Sequence, residues 1–532
     1  MDNSRARMSF LPAIWQAGRA GWLVFLFFLS LYLLTARGRL TVIDGVTRYQ
    51  VTAAIAQRGS VSLPEDLHLG MPGKRPGSFY SYYALGQSLA GLPLYWAGGA
   101  VARLLPKGNE AAITQFAYSL INAFMAAGLC AVFFVFCLQL GYARRTALWL
   151  ALGLGLGTIL WQQSKDSFEH PQEAFFGLAG VLLTYRGVKE NRRALLWVGG
   201  VLFGAGILTR GSAAFFFLPA LGYLLTKGFQ ERRSRGGAFS TAMGSALADF
   251  GISVAGALPF LLAAGWYNAL RWGSPFAAAQ ASAQPLAQPD ASFLRGLAGL
   301  LISPGRGLLE YNPMLLLLLI FPASLSLFWR RQRGIAALFL AVGLIYLIYY
   351  SNSPFWDGGL CWGPRYLLPI IPLALFPLGE LIETPPLLRS RKGRSRATTM
   401  MRKSVVYLLA GVSLLIQLSS VLVDHQIWFH EVAVRNQRGA NIHINLSPRY
   451  SPLVRQWQIL GKVLSGSVTQ TTREFNTGID FWWVCWPGAE AGRFRLGGAI
   501  ALAALAMLFA WRMALWREAR LRRGSRDAKR QA

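Results

Sequence analysis

Long apolar runs return along nearly the whole chain, separated by short strings of arginine and lysine. No other feature constrains the fold so tightly. A run of about 20 apolar residues satisfies its own backbone as a helix and spans a bilayer. With 54% hydrophobic and only 14% charged residues among 532, the chain has too little polar surface to bury such runs in a soluble domain. The expected fold class is therefore an all-α polytopic membrane protein of about twelve spans. These fall near 21–36, 113–138, 146–163, 171–185, 194–209, 212–226, 246–265, 308–329, 335–350, 365–382, 404–423 and 497–515.

The formal charge of +30 would by itself suit a nucleic-acid partner. Its distribution argues against one. Arg144-Arg145, Arg192-Arg193, Arg232-Arg233, Arg330-Arg331, the string 389–396 and the tail after Trp516 all lie between or beyond apolar runs. Loops with this bias stay on the cytoplasmic side. Twelve spans place every one of these clusters there, together with both termini. The basic start (Arg5, Arg7, Arg19) and the run 21–34 read as a retained first span rather than a cleaved leader. Tyr82 to Leu105 is apolar enough to be another span, but crossing there would turn the arginine strings outward. Its glycines, Pro93 and Tyr95-Trp96 suit an interfacial or broken helix instead.

The outer face then holds the first loop (about 37–109), the segment 266–307, the turn 351–364 and a polar, aromatic stretch, 424–495. The expected organisation is a transmembrane region over 1–423, that outer segment, and a last span with a basic tail over 496–532. The four cysteines show no metal-ligand spacing, although Cys361 and Cys485 share a face and could pair.

Ionisable groups gather on the outer face. Lys165, Asp166, Glu169 and His170 crowd the turn between the third and fourth spans. At the bilayer centre each charge would cost about 2.5–3.5 kcal/mol, so the turn belongs at or above the interface. It reads either as a solvated turn with Asp166 or Ser167 as helix N-cap, or as part of a site. Asp44, just beyond the first span, reads either as the cap of a helix over 46–58 or as a catalytic base. Arg48, in the same segment, is a candidate substrate contact. Arg210, Arg306 and Arg365 each stand at the outer edge of an apolar run. One alone would be a snorkelling anchor, but three with Lys165 suggest a cationic site for a membrane-embedded phosphate. Trp356 and Asp357, in the glycine-rich turn before Arg365, join the candidates. So do Lys74, Arg75, Tyr82 and Tyr83 of the first loop, whose aromatic faces suit sugar stacking.

Several of these motifs carry a family resemblance: Asp44 after the first span, YSYYALGQSLAGLPLY, the acid- and histidine-bearing start of the fourth span, LTRG, WYNALRWGSPF, SPGRGLLEYNP and WDGGLCWGPRYLLPIIP. The chain resembles the GT-C superfamily of polyprenyl-phosphate-sugar-dependent glycosyltransferases, in the branch of protein O-mannosyltransferases and aminoarabinose transferases. The resemblance runs discontinuously from about Asp44 to Pro372. Two departures stand out. Gly45 follows Asp44 where many relatives have a second acid, and Tyr82 stands where related bacterial sequences often have lysine.

The resemblance implies a GT-C-like bundle with interfacial helices in the first outer loop. It implies inverting transfer of a sugar from a polyprenyl phosphate to a hydroxyl on a glycan, lipid or protein, at a periplasmic or lumenal face; the expected setting is the periplasmic face of a bacterial inner membrane. Asp44 would be the base. Glu169, with His170, would position the acceptor or, in metal-using relatives, contact a metal. A divalent metal is possible and not required by a monophosphate leaving group. A lipid-linked glycan flippase, an oligosaccharide ligase using a diphosphate lipid, and a non-catalytic sugar-lipid binder are the alternatives.

Overall fold

The computed structural model describes residues 20–65, 69–73, 77–104, 109–276, 293–359, 361–383, 396–429, 445–467, 479–485 and 492–531. They form a helical bundle. The only sheet among them is a hairpin pairing Met71–Pro72 with Phe79–Tyr80. Six of the described helices are long and apolar enough to cross a membrane: Glu110–Gln139, Gly211–Ser234, Phe239–Trp272, Arg333–Ser351, Met400–Leu422 and Arg495–Ala514.

A seventh is bent. Pro313–Ile320 and Ala323–Arg331 meet at 82°, where one straight span was expected. Pro322 sits at the break and has no N–H to continue the helix. Ala20–Leu34, Arg193–Thr209 and Arg365–Leu375 are apolar but shorter, so a total of twelve depends on helices of this kind.

The segment beginning at Tyr82 folds as two short helices, Gly86–Ala90 and Leu92–Ala102. The longer rises only about 16 Å, half a bilayer core. Together with Ile43–Arg58 they form a layer packed on Glu110–Ser119. Beneath that layer the core is aromatic. Phe376 meets Phe133 at 4.6 Å and both Phe136 and Phe339 at 5.1 Å between ring centroids, locking three helical segments together. Cys361 is a free, buried thiol, and the side chain of Cys485 lies outside what is described.

The polar stretch after Asp424 is bound to the bundle through its described parts. Asn445 accepts from the Gly305 N–H at 2.9 Å, Ser451 donates to the Pro304 carbonyl at 2.7 Å, and the Trp482 N–H donates to Ala36 at 2.8 Å.

Candidate active site

The turn between Leu160–Gln163 and His170–Glu190 is the centre of the site, and it is not solvated. Every residue from Gly157 to Ala174 is buried. Buried carbonyls need donors, and three side chains, one of them held in turn by a fourth, supply them. Asn122 donates to the carbonyls of Asp166 (2.7 Å) and Phe168 (2.6 Å). Gln87 (3.0 Å) and Arg48 (3.4 Å) donate to Ser167, and Gln172 donates to Asn122 Oδ1 at 3.4 Å. Neither Asp166 nor Ser167 caps the helix. Glu169 occupies that position without a side-chain cap bond, its carboxylate turned to arginine.

Two glycines let the surrounding helices close on this turn. A Cβ at Gly45 would lie 2.4 Å from Ser167 Cβ, and one at Gly86 would lie 2.4 Å from the Thr209 nitrogen. The first contact brings Asp44 and Arg48 to the turn, and the second seats the Gly86 helix beside Arg210. Gly45 therefore has a steric reason to be glycine.

Asp44 is not a helix cap. The Ile43–Arg58 helix begins one residue earlier, with Val42 in the cap position, and Asp44 lies in its first turn. Its carboxylate accepts from Tyr83 Oη at 2.7 Å and lies 3.6 Å from Arg365 Nη1. Burial and then Asp44 itself raise Tyr83, which stays protonated and donates. Asp44 keeps 19% of its side chain exposed, Arg365 13% and Arg210 23%.

Glu169 is saturated by contrast. Arg48 and Arg210 each pair with one of its oxygens. Burial alone would raise its carboxyl, but Arg48 and Arg210, helped by His170 and Arg365, hold it well below the ordinary range. It is thus a poor proton acceptor and a good counter-ion. His170 is fully buried, neither ring nitrogen has a hydrogen-bond partner, and burial keeps the ring neutral. It packs 5.5 Å from Tyr366. Tyr366 stacks on Tyr350 at 4.5 Å, and Arg210 lies over the Tyr366 ring at 5.3 Å. Tyr350 Oη accepts from Arg210 at 3.2 Å. One turn beyond Glu169, Glu173 accepts from Tyr346 (2.6 Å) and Ser212 and lies 3.7 Å from Arg210.

Lys165 and Asp166 face the other way, into a second buried cluster centred on Arg37. Its guanidinium meets Asp480 at 2.6 Å, Asp166 at 3.1 Å and Asp424 at 3.4 Å. Arg39 lies 3.2 Å from Asp424 and 3.3 Å from Asp480. Lys165 lies 3.3 Å from Asp480 and donates to the carbonyls of Asp480, at 2.8 Å, and Val421. Three cations face three carboxylates. Lys165 is fully enclosed, and burial lowers its ammonium despite Asp480. It is not placed to meet a lipid phosphate.

The structure therefore brings together Asp44, Arg48, Tyr83, Glu169, His170, Arg210 and Arg365. Others lie apart. Arg306 is buried and donates to Gly359 (2.7 Å) and Gly305 (3.1 Å). Asp357 accepts from Asn445 at 3.0 Å, and Trp356 packs over Gly299. Tyr82 is 60% exposed. Lys74 and Arg75 lie outside the described residues. Sequence reading missed Tyr350, Tyr366 and Glu173, although Glu173 stands four residues from Glu169 on the same helical face. It also missed Arg271, which donates to the carbonyls of Ser81 (3.0 Å), Tyr82 (3.1 Å) and Tyr83 (2.9 Å) and so aims Tyr83 at Asp44. Among the described residues no group of three or more His, Cys, Asp or Glu is arranged to hold a metal.

No family model matches the chain, and no curated protein matches its sequence. Solved structures with a similar course include ArnT from Cupriavidus metallidurans bound to undecaprenyl phosphate. It is 14% identical, with TM-score 0.46, over 85% of this chain and 82% of that one. The archaeal oligosaccharyltransferase AglB from Archaeoglobus fulgidus, in complex with an inhibitory peptide and a dolichol-phosphate, is 11% identical with TM-score 0.44. That match covers 81% of this chain and 59% of AglB. The apo oligosaccharyltransferase of Archaeoglobus fulgidus matches over 75% of this chain at 11% identity and TM-score 0.43, and this chain spans 56% of its length. Likeness at these values carries no argument about chemistry.

Proposed function

We propose that the chain is a membrane glycosyltransferase that moves a sugar from a polyprenyl-phosphate carrier to a hydroxyl acceptor. One observation carries this reading: the site separates its carboxylates into a saturated one and a reachable one. Glu169 is consumed by Arg48 and Arg210, while Asp44 is partly exposed and held by one tyrosine hydroxyl and one distant arginine. Beside it, Arg210 and Arg365 keep part of their side-chain surface exposed. A base next to two reachable cations suits displacement of an anionic leaving group.

The step balances with these residues. The acceptor hydroxyl gives its proton to Asp44 as its oxygen forms a bond to the anomeric carbon. The bond from that carbon to the phosphate oxygen breaks, and its electron pair leaves on the lipid phosphate. Arg210 and Arg365 receive the charge. Attack opposite the leaving group inverts the anomeric centre. Arg48 and Glu169 act as positioning residues: Glu169 fixes Arg210, and Arg48, 4.1 Å over the Tyr83 ring, fixes the partner of Asp44. The carrier's tail lies along the apolar helices. The proposed location is a bacterial inner membrane with the site on the periplasmic face, a reading that the charge bias of the loops supports.

The test uses purified full-length protein, a labelled undecaprenyl-phosphate sugar and membrane lipid extract. Asp44→Asn keeps the shape and the Tyr83 contact but loses the base. It is expected to bind donor normally and to lose about 10²–10⁴ in turnover. Unchanged turnover would refute the assignment. Donor translocation across vesicles without glycosyl transfer would replace the enzyme by a transporter.

A further inference from the structure

A second cationic feature lies at the far end of the bundle from Asp44. Between the helices Arg144–Leu156, Leu378–Ile382 and Arg396–Leu422 runs a cavity of about 530 Å³. That is within the ~300–1,000 Å³ typical of ligand clefts. Its walls are apolar, built by Leu152, Leu156, Leu381, Val406 and Leu414. Trp149 and Tyr407, also in the lining, are 50% and 61% exposed, so the crevice opens sideways.

Three cations, Arg145, Arg402 and Lys403, line the same cavity, and among the described residues no carboxylate does. They share one end. Gly157 packs against Ser413 (a Cβ there would lie 3.4 Å from Ser413 Cβ). Counting back along each helix places Arg145 and Arg402 both roughly 17 Å from that contact. Val421, whose carbonyl accepts from Lys165, is a further turn or two beyond Ser413. Arg402 therefore stands about 28 Å along the helix from the Lys165 end, close to the thickness of a bilayer core.

We propose that this crevice binds an anionic phospholipid. The phosphate would sit on Arg145, Arg402 and Lys403, and one acyl chain would lie along the leucine wall. Charge complementarity selects the anion, and the apolar, sideways-open wall selects a lipid over a free phosphate. Basic ends of spans are common; an apolar cleft directly continuous with three of them is what makes a site. It is separate from the proposed donor site, lying at the opposite membrane surface.

Native mass spectrometry of the full chain in mixed micelles tests this, with phosphatidylglycerol and phosphatidylcholine supplied separately. Phosphatidylglycerol should be retained preferentially. Removing Arg145, Arg402 and Lys403 as alanines should weaken retention about fivefold per cation. Ala410→Trp, which fills the wall, should weaken binding with every cation still present. Lys403→Glu, at an exposed position, gives the same comparison if the triple variant does not fold. Equal retention of both lipids, or unchanged retention in the charge variants, would overturn the proposal. Displacement of phosphatidylglycerol by inorganic phosphate alone would also overturn it, in favour of a simple anion site.

Discussion

Replacing Arg37 by Met tests whether the second cluster holds the molecule together. Arg37 has no exposed side-chain surface and meets three carboxylates at 2.6, 3.1 and 3.4 Å. Methionine fills much of the volume but leaves Asp166, Asp424 and Asp480 facing only Arg39 and Lys165. Removing one partner from a buried ion pair costs about 3–5 kcal/mol. The lower end applies here, because Asp480 keeps Lys165 and Arg39 at 3.3 Å and Asp166 keeps Gln162 at 2.9 Å.

The expected loss is therefore about 3 kcal/mol. Equilibrium unfolding in mixed micelles over a gradient of SDS would measure it. The double variant Arg37→Met with Asp166→Asn removes one charge of each sign. It should be less destabilised than the sum of the single variants by about 1 kcal/mol or more. An Arg37→Met protein within about 1 kcal/mol of wild type, or a strictly additive double variant, would refute the reasoning.

Gly45→Ala should destabilise by about 1–3 kcal/mol and lower turnover, since its Cβ meets Ser167; thermal unfolding and the transfer assay read both effects. Glu169→Gln should lose donor affinity more than Asp44→Asn does, because Arg48 and Arg210 lose their shared anion; lipid-phosphate binding distinguishes the two variants. Burial would raise Asp480, but Arg37, Lys165 and Arg39 bring it down to about 2 from an ordinary 3.8. Its contribution is then complete above about pH 4 and is lost as pH falls through about 2, and acid unfolding of Asp480→Asn should be less steep over that window. Burial raises the Cys361 thiol. With Cys485 replaced by Ser, maleimide should label only the denatured protein, because Cys130, Cys137 and Cys361 are all buried.

The alternation of apolar runs and basic strings was enough to expect a helical membrane protein, because bilayer thickness and loop charge act on local sequence. The gathering of Asp44, Arg48, Glu169, His170, Arg210 and Arg365 was legible because each stands at the end of an apolar run on one expected face. The split inside the turn was not. Lys165 and Asp166 lie within four residues of Glu169, yet a turn of irregular backbone sends them to the opposite side. Their partners, Asp424 and Asp480, sit in a stretch with no local sign of attachment. The cap reading of Asp44 failed because the preceding Val42 adopts the extended backbone of a cap. Tyr350 and Tyr366 looked like ordinary interface tyrosines, and only the fold stacks them beneath Arg210.

The Arg37 cluster also sets an order on how the molecule can be completed during synthesis. Arg37 and Asp480 are 443 residues apart in the chain. When the first helix and the following arginines have been made, Asp480 does not yet exist. Until it is made, Arg37, Arg39 and Lys165 have only Asp166 and, later, Asp424 to neutralise them. The turn carrying Glu169 is anchored from behind by that incomplete cluster, so it lacks its full support until Asp480 has been added. A chain cut short before Asp480 leaves an unbalanced positive charge buried in the bundle.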